Sequence, residues 1–193
     1  MPNVLLLGVQ GSGKGTQARR IAAEYGIPHI ATGDLLRAEI GAGTELGRRV
    51  QAILDRGDLV PDETMSEFIR AQLARPETWD GFVLDGFPRT MAQADALDAL
   101  LADLGRPLTI VFELQVPDEV ATARMLKRAV EEGRADDTPE AIARRVQLYH
   151  EETEPIVSHY RAAGNLVGIH GDRPVNEVFA EIQDALEQAA VRQ

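Results

Sequence analysis

Short apolar runs alternate with helical spacings along most of this chain. Val4-Leu5-Leu6-Leu7 is a continuous apolar run that stops at Gly8, and Ile27 to Ala31 is a second, weaker one. Phe82-Val83-Leu84 ends at Asp85; Leu108-Thr109-Ile110-Val111-Phe112 and Leu166-Val167-Gly168-Ile169 complete the set. Such runs, lacking polar alternation and separated by helices, belong to strands buried on both faces, which predicts an α/β fold with a parallel sheet covered on both sides. Leu97, Leu100, Leu101 and Leu104 keep the i, i+3, i+4, i+7 spacing of one buried helix face, and so do Val175, Val178, Phe179, Ile182 and Leu186, with Pro174 at a first-turn position. Met65, Phe68, Ile69 and Leu73 make a third stripe, begun by Pro61-Asp62. Ile142, Val146, Tyr149, Thr153, Ile156 and Tyr160 trace a long fourth that starts at Thr138-Pro139-Glu140, and Pro155 inside it predicts a kink, because proline removes a backbone hydrogen bond.

The alternation fails between about residues 33 and 60. Several short helix-like pieces lie there, punctuated by Gly41, Gly43, Gly47 and Gly57. This is more chain than one crossover needs. It is expected either to be a small helical insertion at the carboxyl edge of the sheet, where α/β proteins bind ligands, or an ordinary set of connecting helices.

Composition narrows the class. A length of 193 residues predicts a single domain large enough to bury a core without staples, and the absence of cysteine excludes disulfides, thiolate zinc sites and a cysteine nucleophile. The net charge of −11 disfavours nucleic acid and anionic membrane as partners. The apolar runs are too short to span a bilayer, and Met1-Pro2-Asn3 runs straight into a strand with no signal-peptide pattern, so the expectation is a soluble cytoplasmic protein. Of the 20 basic residues only Lys14 and Lys127 are lysines. A chain that writes nearly every cation as arginine yet has lysine at position 14 points to a need for a compact ammonium there.

Lys14 sits in Gly8-Val9-Gln10-Gly11-Ser12-Gly13-Lys14-Gly15-Thr16, between the first strand and a helix over Ala18 to Tyr25. Backbone N–H groups converge on phosphate oxygens only where no Cβ blocks the approach, and a helix N-terminus adds partial positive charge. The spacing fits G-x-x-x-x-G-K, with Gly15 at the position of the usual hydroxyl and Thr16 one residue later. Asp85, at the end of the third strand, is placed either to cap a turn or to orient Mg²⁺ through water beside this loop. Thr90 and Gln93 have capping-box spacing, and a glutamine amide can also read a base edge. Arg89 can grip a phosphate in bidentate fashion. Thr32-Gly33-Asp34-Leu35-Leu36-Arg37 follows the second strand, with Asp34 a candidate helix cap and Arg37 directed to the same edge. Arg128, Arg134 and Arg145 flank a charged segment, Glu131 to Asp137, which is either a solvated loop or part of a cation cluster matched to transferring phosphoryl oxygens. The four histidines show no metal spacing, and no motif supplies Ser12 with an acid–base partner.

Gly11-Ser12-Gly13-Lys14-Gly15-Thr16-Gln17, Thr32 to Arg37, Asp85-Gly86-Phe87-Pro88-Arg89-Thr90, and Gly133 to Asp137 with Arg145 occur in the order seen in the nucleoside monophosphate kinases. From Val4 to Leu186 the chain resembles that family, and within it the adenylate kinases. The resemblance implies a five-stranded parallel sheet of order 2-3-1-4-5 flanked by helices, and reversible phosphoryl transfer from ATP·Mg²⁺ to AMP giving two ADP. It implies that Gly11, Ser12, Gly13, Lys14, Gly15 and Thr16 cradle the ATP phosphates, with Arg128 on ATP and the backbone near Arg173 on its adenine. Thr32, Arg37, Gly86, Phe87, Pro88, Arg89 and Gln93 would hold AMP, with the backbone of Asp58, Leu59 and Val60; Arg134 and Arg145 would span the phosphates. Lys14, Arg89, Arg128, Arg134 and Arg145 would carry catalysis, and Asp85 would meet the metal through water. The expected partners are ATP, AMP and ADP, with the chain a monomer. It is read as one domain over residues 1–193, containing a 31–60 AMP-binding insertion and a 125–137 lid.

The chain departs from the family pattern in three places. Gln10 stands where relatives often have proline. Asp58 stands where they often have a basic residue, so only its backbone is assigned. Only Ala129 to Gly133 separate Arg128 from Arg134, which resembles the short-lid subtype and leaves no room for a structural zinc. The nearest rival is a UMP/CMP kinase, whose members tend to have Ala and Asn where this chain has Thr32 and Thr90. A regulatory module that binds nucleotide without transferring phosphate is a rival of another class, and the second arginine set argues against it.

Overall fold

The apolar runs become β1 (Asn3–Leu7), β2 (His29–Ala31), β3 (Phe82–Asp85), β4 (Ile110–Gln115) and β5 (Leu166–His170). The protein is described by a computed structural model covering residues 1–191. The five strands form one sheet in the order β2-β3-β1-β4-β5, with every neighbouring pair parallel. This is the fold class and strand order that the resemblance implies.

Alternate residues of β1 feed two cores. Leu5 and Leu7 pack with Met65, Ile69 and Leu73 of α4 (Asp62–Leu73), Leu97 and Leu101 of α5 (Met91–Asp103), and Ile156 and Tyr160 of α8 (Glu154–Ala163). Val4 and Leu6 pack on the other face with Ala18 and Ile21 of α1 (Lys14–Tyr25) and with Val178, Ile182 and Leu186 of α9 (Val175–Val191). A strand whose side chains all have a core to enter has no polar alternation, which is why β1 is buried at all five positions.

The chain leaves β1 toward β2 on one side of the sheet and later crosses to β4 on the other. β1 therefore lies at the topological switch point, and the loop after it opens on the crevice beyond the strands' carboxyl ends. The irregular stretch before β3 folds as α2 (Thr32–Gly41) and α3 (Glu45–Asp55), the helical pieces expected between 33 and 60. α6 (Asp118–Glu131) and α7 (Pro139–Leu148) flank the short charged segment on the opposite rim.

Two boundaries differ from the sequence reading. The strand expected over Leu108–Phe112 begins at Ile110 and continues to Gln115, because β5 pairs with Glu113, Leu114 and Gln115 although two of these are polar. The long helix expected from Pro139 to Tyr160 is divided by a π-helical turn at Tyr149–Thr153, upstream of the expected kink. Pro155 falls in the first turn of α8, where its missing N–H costs nothing, and the slipped ladder before it absorbs the lost bond. The turn aims Thr153 at the site: its hydroxyl donates to the Arg89 carbonyl at 2.8 Å.

Candidate active site

One crevice at the carboxyl edge of the sheet, with a volume of about 320 Å³, is lined by the loop after β1, the start of α2, the loop after β3 and the arginines of α6 and α7. Gly11, Gly13, Lys14, Gly15, Thr16, Thr32, Arg37, Asp58, Leu59, Val60, Asp85, Gly86, Phe87, Pro88, Arg89, Gln93, Arg128, Arg134 and Arg145 all border it. Ser12 and Arg173 do not. The Ser12 hydroxyl is buried without a partner. Arg173 donates to the His170 carbonyl and pairs with Glu181, away from the crevice.

The loop after β1 has the geometry of an anion cradle. Gly13 caps α1 with φ 101°, a left-handed conformation that side-chain-bearing residues rarely adopt, and a Cβ there would stand in open space. Lys14 folds across the loop and donates to the carbonyls of Gly8 (2.6 Å) and Val9 (2.9 Å). Burial in the crevice wall pulls its pKa down to about 8; Asp85 opposes this, and Arg89 and Arg128 add to it. Arg89 is shifted the same way, down to about 10, by burial and then by Arg145, with Asp85 opposing and Arg37 adding. Among the described residues neither Lys14 nor Arg89 forms an ion pair, although 31 acidic residues are available in the chain. Half-buried cations left without a carboxylate are costly unless an anion completes them.

The arginines of the rim, Arg37, Arg128, Arg134 and Arg145, are paired. Asp137, whose side chain is fully buried, accepts from Arg128 Nε (2.9 Å) and Nη2 (2.7 Å) and from Arg145. Asp136 accepts from Arg145 at 2.8 Å and pairs with Arg37 at 3.4 Å. Asp34 lies in the first turn of α2 and does not cap it; its carboxylate pairs with Arg37 (2.5 Å) and Arg134 (3.5 Å). These guanidinium groups hold its pKa below the usual carboxylate range against the opposing effect of burial. The Asp58 carboxylate is taken up by Arg56 and Arg144, each at 3.0 Å, which leaves its backbone to the crevice. The rim segment expected to be either solvated loop or cation cluster is thus an arginine cluster organised by buried carboxylates, and it is tied to the start of α2 through Asp34 and Arg37.

Asp85 stands alone. Its side chain lies 3.6 Å from His29 Nε2, and its Oδ2 would be 3.5 Å from a Cβ on Gly15. Among the described residues no group of three or more His, Cys, Asp or Glu could hold a metal ion. A lone carboxylate fits an ion that arrives on a phosphate with its own waters, and does not fit one caged by protein.

Two residues at the site were missed in the sequence. Arg124 lines the crevice and donates to the carbonyls of Ser12 and Gly171, joining the phosphate loop to the turn after β5. It precedes Arg128 by one helical turn, a spacing that places both on one face. Asp62, at the start of α4, accepts from Thr90 Oγ1 (2.9 Å) and Gln93 Nε2 (2.8 Å), and nothing in its local sequence announces this. The capping box is half formed: Thr90 accepts from Gln93 N at 3.2 Å, but the Gln93 side chain turns to Arg89 N instead of Thr90 N.

The depressed Lys14 pKa makes a measurable expectation. Near pH 8.5 part of the amine is neutral in the free protein, and phosphate oxygens brought against it would raise its pKa, so if the ATP phosphates meet Lys14, as the resemblance implies, binding should take up protons. Calorimetric titrations in buffers of different ionisation enthalpy should show this uptake at pH 8.5 and not with Lys14→Met. An equal heat in all buffers would place Lys14 out of reach of the phosphates.

The family model for adenylate kinase matches residues 6–165. The adenylate kinase of Stenotrophomonas maltophilia (strain K279a) is 46% identical over 183 residues, covering 95% of this chain and 98% of that protein. That of Synechococcus sp. (strain JA-2-3B'a(2-13)) is 47% identical over 189 residues, with 97% of each covered, and that of Phocaeicola vulgatus 43% identical over 188, with 97% and 100% covered. The matched spans include the loop after β1, residues 31–60 and the arginine rim, and the chain belongs to the adenylate kinase family.

Proposed function

We propose that this chain transfers the terminal phosphoryl group of ATP·Mg²⁺ to AMP, giving two ADP, by direct in-line displacement. The observation that carries this reading is the pair of half-buried cations without a carboxylate partner, Lys14 and Arg89, on the wall of a crevice whose rim arginines, Arg37, Arg128, Arg134 and Arg145, are each paired with an aspartate. Gly11 to Thr16 hold the ATP phosphates on one side, with Lys14 directed to the outermost ones. Thr32, Arg37, Gly86 and Arg89 hold the AMP phosphate on the other, with Gln93 facing the acceptor base and the Asp58–Val60 backbone beside it. Arg128, Arg134 and Arg145 lie at the junction, and the charge of a loose transferring group spreads over oxygens they can reach.

Magnesium carried on the ATP phosphates neutralises charge there, with Asp85 as an outer carboxylate for its waters. Phosphoryl transfer asks mainly for positioning and charge stabilisation, and the crevice supplies cations without an activated nucleophile. The 31–60 insertion and the 125–137 lid close over the two nucleotides; Arg37–Asp136 and Arg134–Asp34 are the contacts by which they meet. No helix among the described residues is long and apolar enough to cross a membrane.

A coupled assay with ATP and each of AMP, UMP, CMP and GMP tests the reading. AMP should have the highest kcat/KM. Equal values for AMP and UMP would make the chain a UMP/CMP kinase, and binding without turnover would make it a regulatory module.

A further inference from the structure

We propose that Asp62 fixes which way round the Gln93 amide points, and so decides which kind of base edge the acceptor site can read. This rests on the reading of Gln93 as the residue facing the acceptor base.

Gln93 is 2% exposed and borders the crevice, and its amide is held at both ends. Oε1 accepts from the backbone N–H of Arg89 at 2.8 Å, and Nε2 donates to Asp62 Oδ1 at 2.8 Å. Both holders are specific in polarity. A backbone N–H only donates, and an ionised carboxylate only accepts. The same Oδ1 accepts from the Thr90 hydroxyl at 2.9 Å, and the Thr90 oxygen accepts from Gln93 N at 3.2 Å, so the hydroxyl proton is committed to Asp62. Rotating the amide by half a turn would set Nε2 against the Arg89 N–H and Oε1 against the carboxylate. Both contacts would be repulsive, in a place where unmet polar groups are expensive.

With these bonds made, the amide keeps one N–H and one Oε1 lone pair for a ligand. Their sense is set. They match a base edge that pairs a ring-nitrogen acceptor with an exocyclic amine, as in adenine. They oppose an edge that pairs a ring N–H with a carbonyl, as in hypoxanthine, guanine and uracil. Cytosine carries the adenine-like sense, so its rejection must come from ring size. Hypoxanthine has the size and outline of adenine with the opposite sense, and IMP is therefore the clean probe of the lock.

The experiment measures kcat/KM for AMP and for IMP at saturating ATP·Mg²⁺ in the wild type, Asp62→Ala, Asp62→Asn and Gln93→Leu. The wild type should prefer AMP strongly. Asp62→Ala removes one of two anchors, and the AMP:IMP ratio should fall by about tenfold or more, by loss on AMP without matching loss on IMP, with KM for ATP unchanged. Asp62→Asn is nearly isosteric and keeps an Oδ1 that can accept from both Thr90 and Gln93 Nε2, and the Arg89 N–H still opposes rotation, so it should restore a ratio near that of the wild type. A purely structural role for Asp62 would depress AMP and IMP together. The wild-type ratio retained in Asp62→Ala, or a ratio that falls as far in Asp62→Asn as in Asp62→Ala, would overturn the lock. If Gln93→Leu collapses the ratio while Asp62→Ala keeps it, the lock alone fails; if Gln93→Leu also keeps it, the reading of Gln93 as the base-facing residue fails first.

Discussion

Lys14→Met should lower kcat by about 10²–10³, because one donor aimed at developing charge in a water-poor site is worth that much. The expected loss is kinetic. Lys14 lies half-buried against Gly8 and Val9 with no carboxylate partner, and burial depresses its pKa to about 8. An ammonium in that state costs the folded protein stability at neutral pH. Between pH 8 and the ordinary lysine value the unfolded chain binds more protons than the folded one, so this cost is relieved as pH rises through that window and is present in full below it. Methionine has a similar length and no charge to desolvate. The variant should therefore keep its melting temperature at pH 7 while losing turnover. A variant with near-normal kcat would remove Lys14 from the chemistry, and one that lost activity only by unfolding would make its role structural.

The parts of this site that were legible in the sequence are those in which local chain geometry and chemistry coincide. The phosphate loop needs glycine torsions, a lysine and a helix start within nine residues, and all three are contiguous from Gly8 to Thr16. The strands were legible because two covered faces leave no polar positions, and where an edge strand pairs with polar residues, as at Glu113 and Gln115, the boundary was misplaced. The π-helical turn was not legible in position, because Pro155 announces a lost hydrogen bond but not where the ladder will slip. Asp62 was invisible for a different reason: its partners, Thr90 and Gln93, lie 28 and 31 residues away, and only the fold brings α4 against the loop after β3. Charge spacing alone leaves the arginine rim either a solvated loop or a cation cluster. What decides it is the burial of Asp136 and Asp137, which charge spacing alone does not reveal.

That rim carries a division of labour. Lys14 and Arg89 lack carboxylates and stand ready for anions, whereas Arg128, Arg134 and Arg145 are held in place by aspartates and a glutamate. Held arginines present their remaining N–H groups in a set direction, which is the preorganisation that electrostatic catalysis uses. An acidic chain with net charge −11 can in this way concentrate cations at one edge without leaving most of them uncompensated.

Asp137 is where that arrangement should fail most severely. Its side chain is wholly inaccessible and accepts from two arginines, Arg128 through two nitrogens and Arg145 through one. Removing one partner of a buried pair typically costs about 3–5 kcal/mol, because the surviving charge is stranded. Two features place Asp137→Ala at the lower end. Arg145, with a 9% exposed side chain, retains Asp136 at 2.8 Å, and Arg128, at 27%, can turn toward water. A loss near 3 kcal/mol in a protein of this size lowers the melting temperature by about 6–12 °C. The same substitution frees Arg128 and Arg145 from their set directions, so kcat should fall in the surviving folded protein by more than the binding of ATP weakens. Thermal denaturation of Asp137→Ala alongside the wild type reads the first effect, and steady-state kinetics well below the lowered midpoint read the second. A melting temperature within about 2 °C of the wild type, with unchanged kcat, would mean that the arginines hold themselves in place and that Asp137 merely accompanies them.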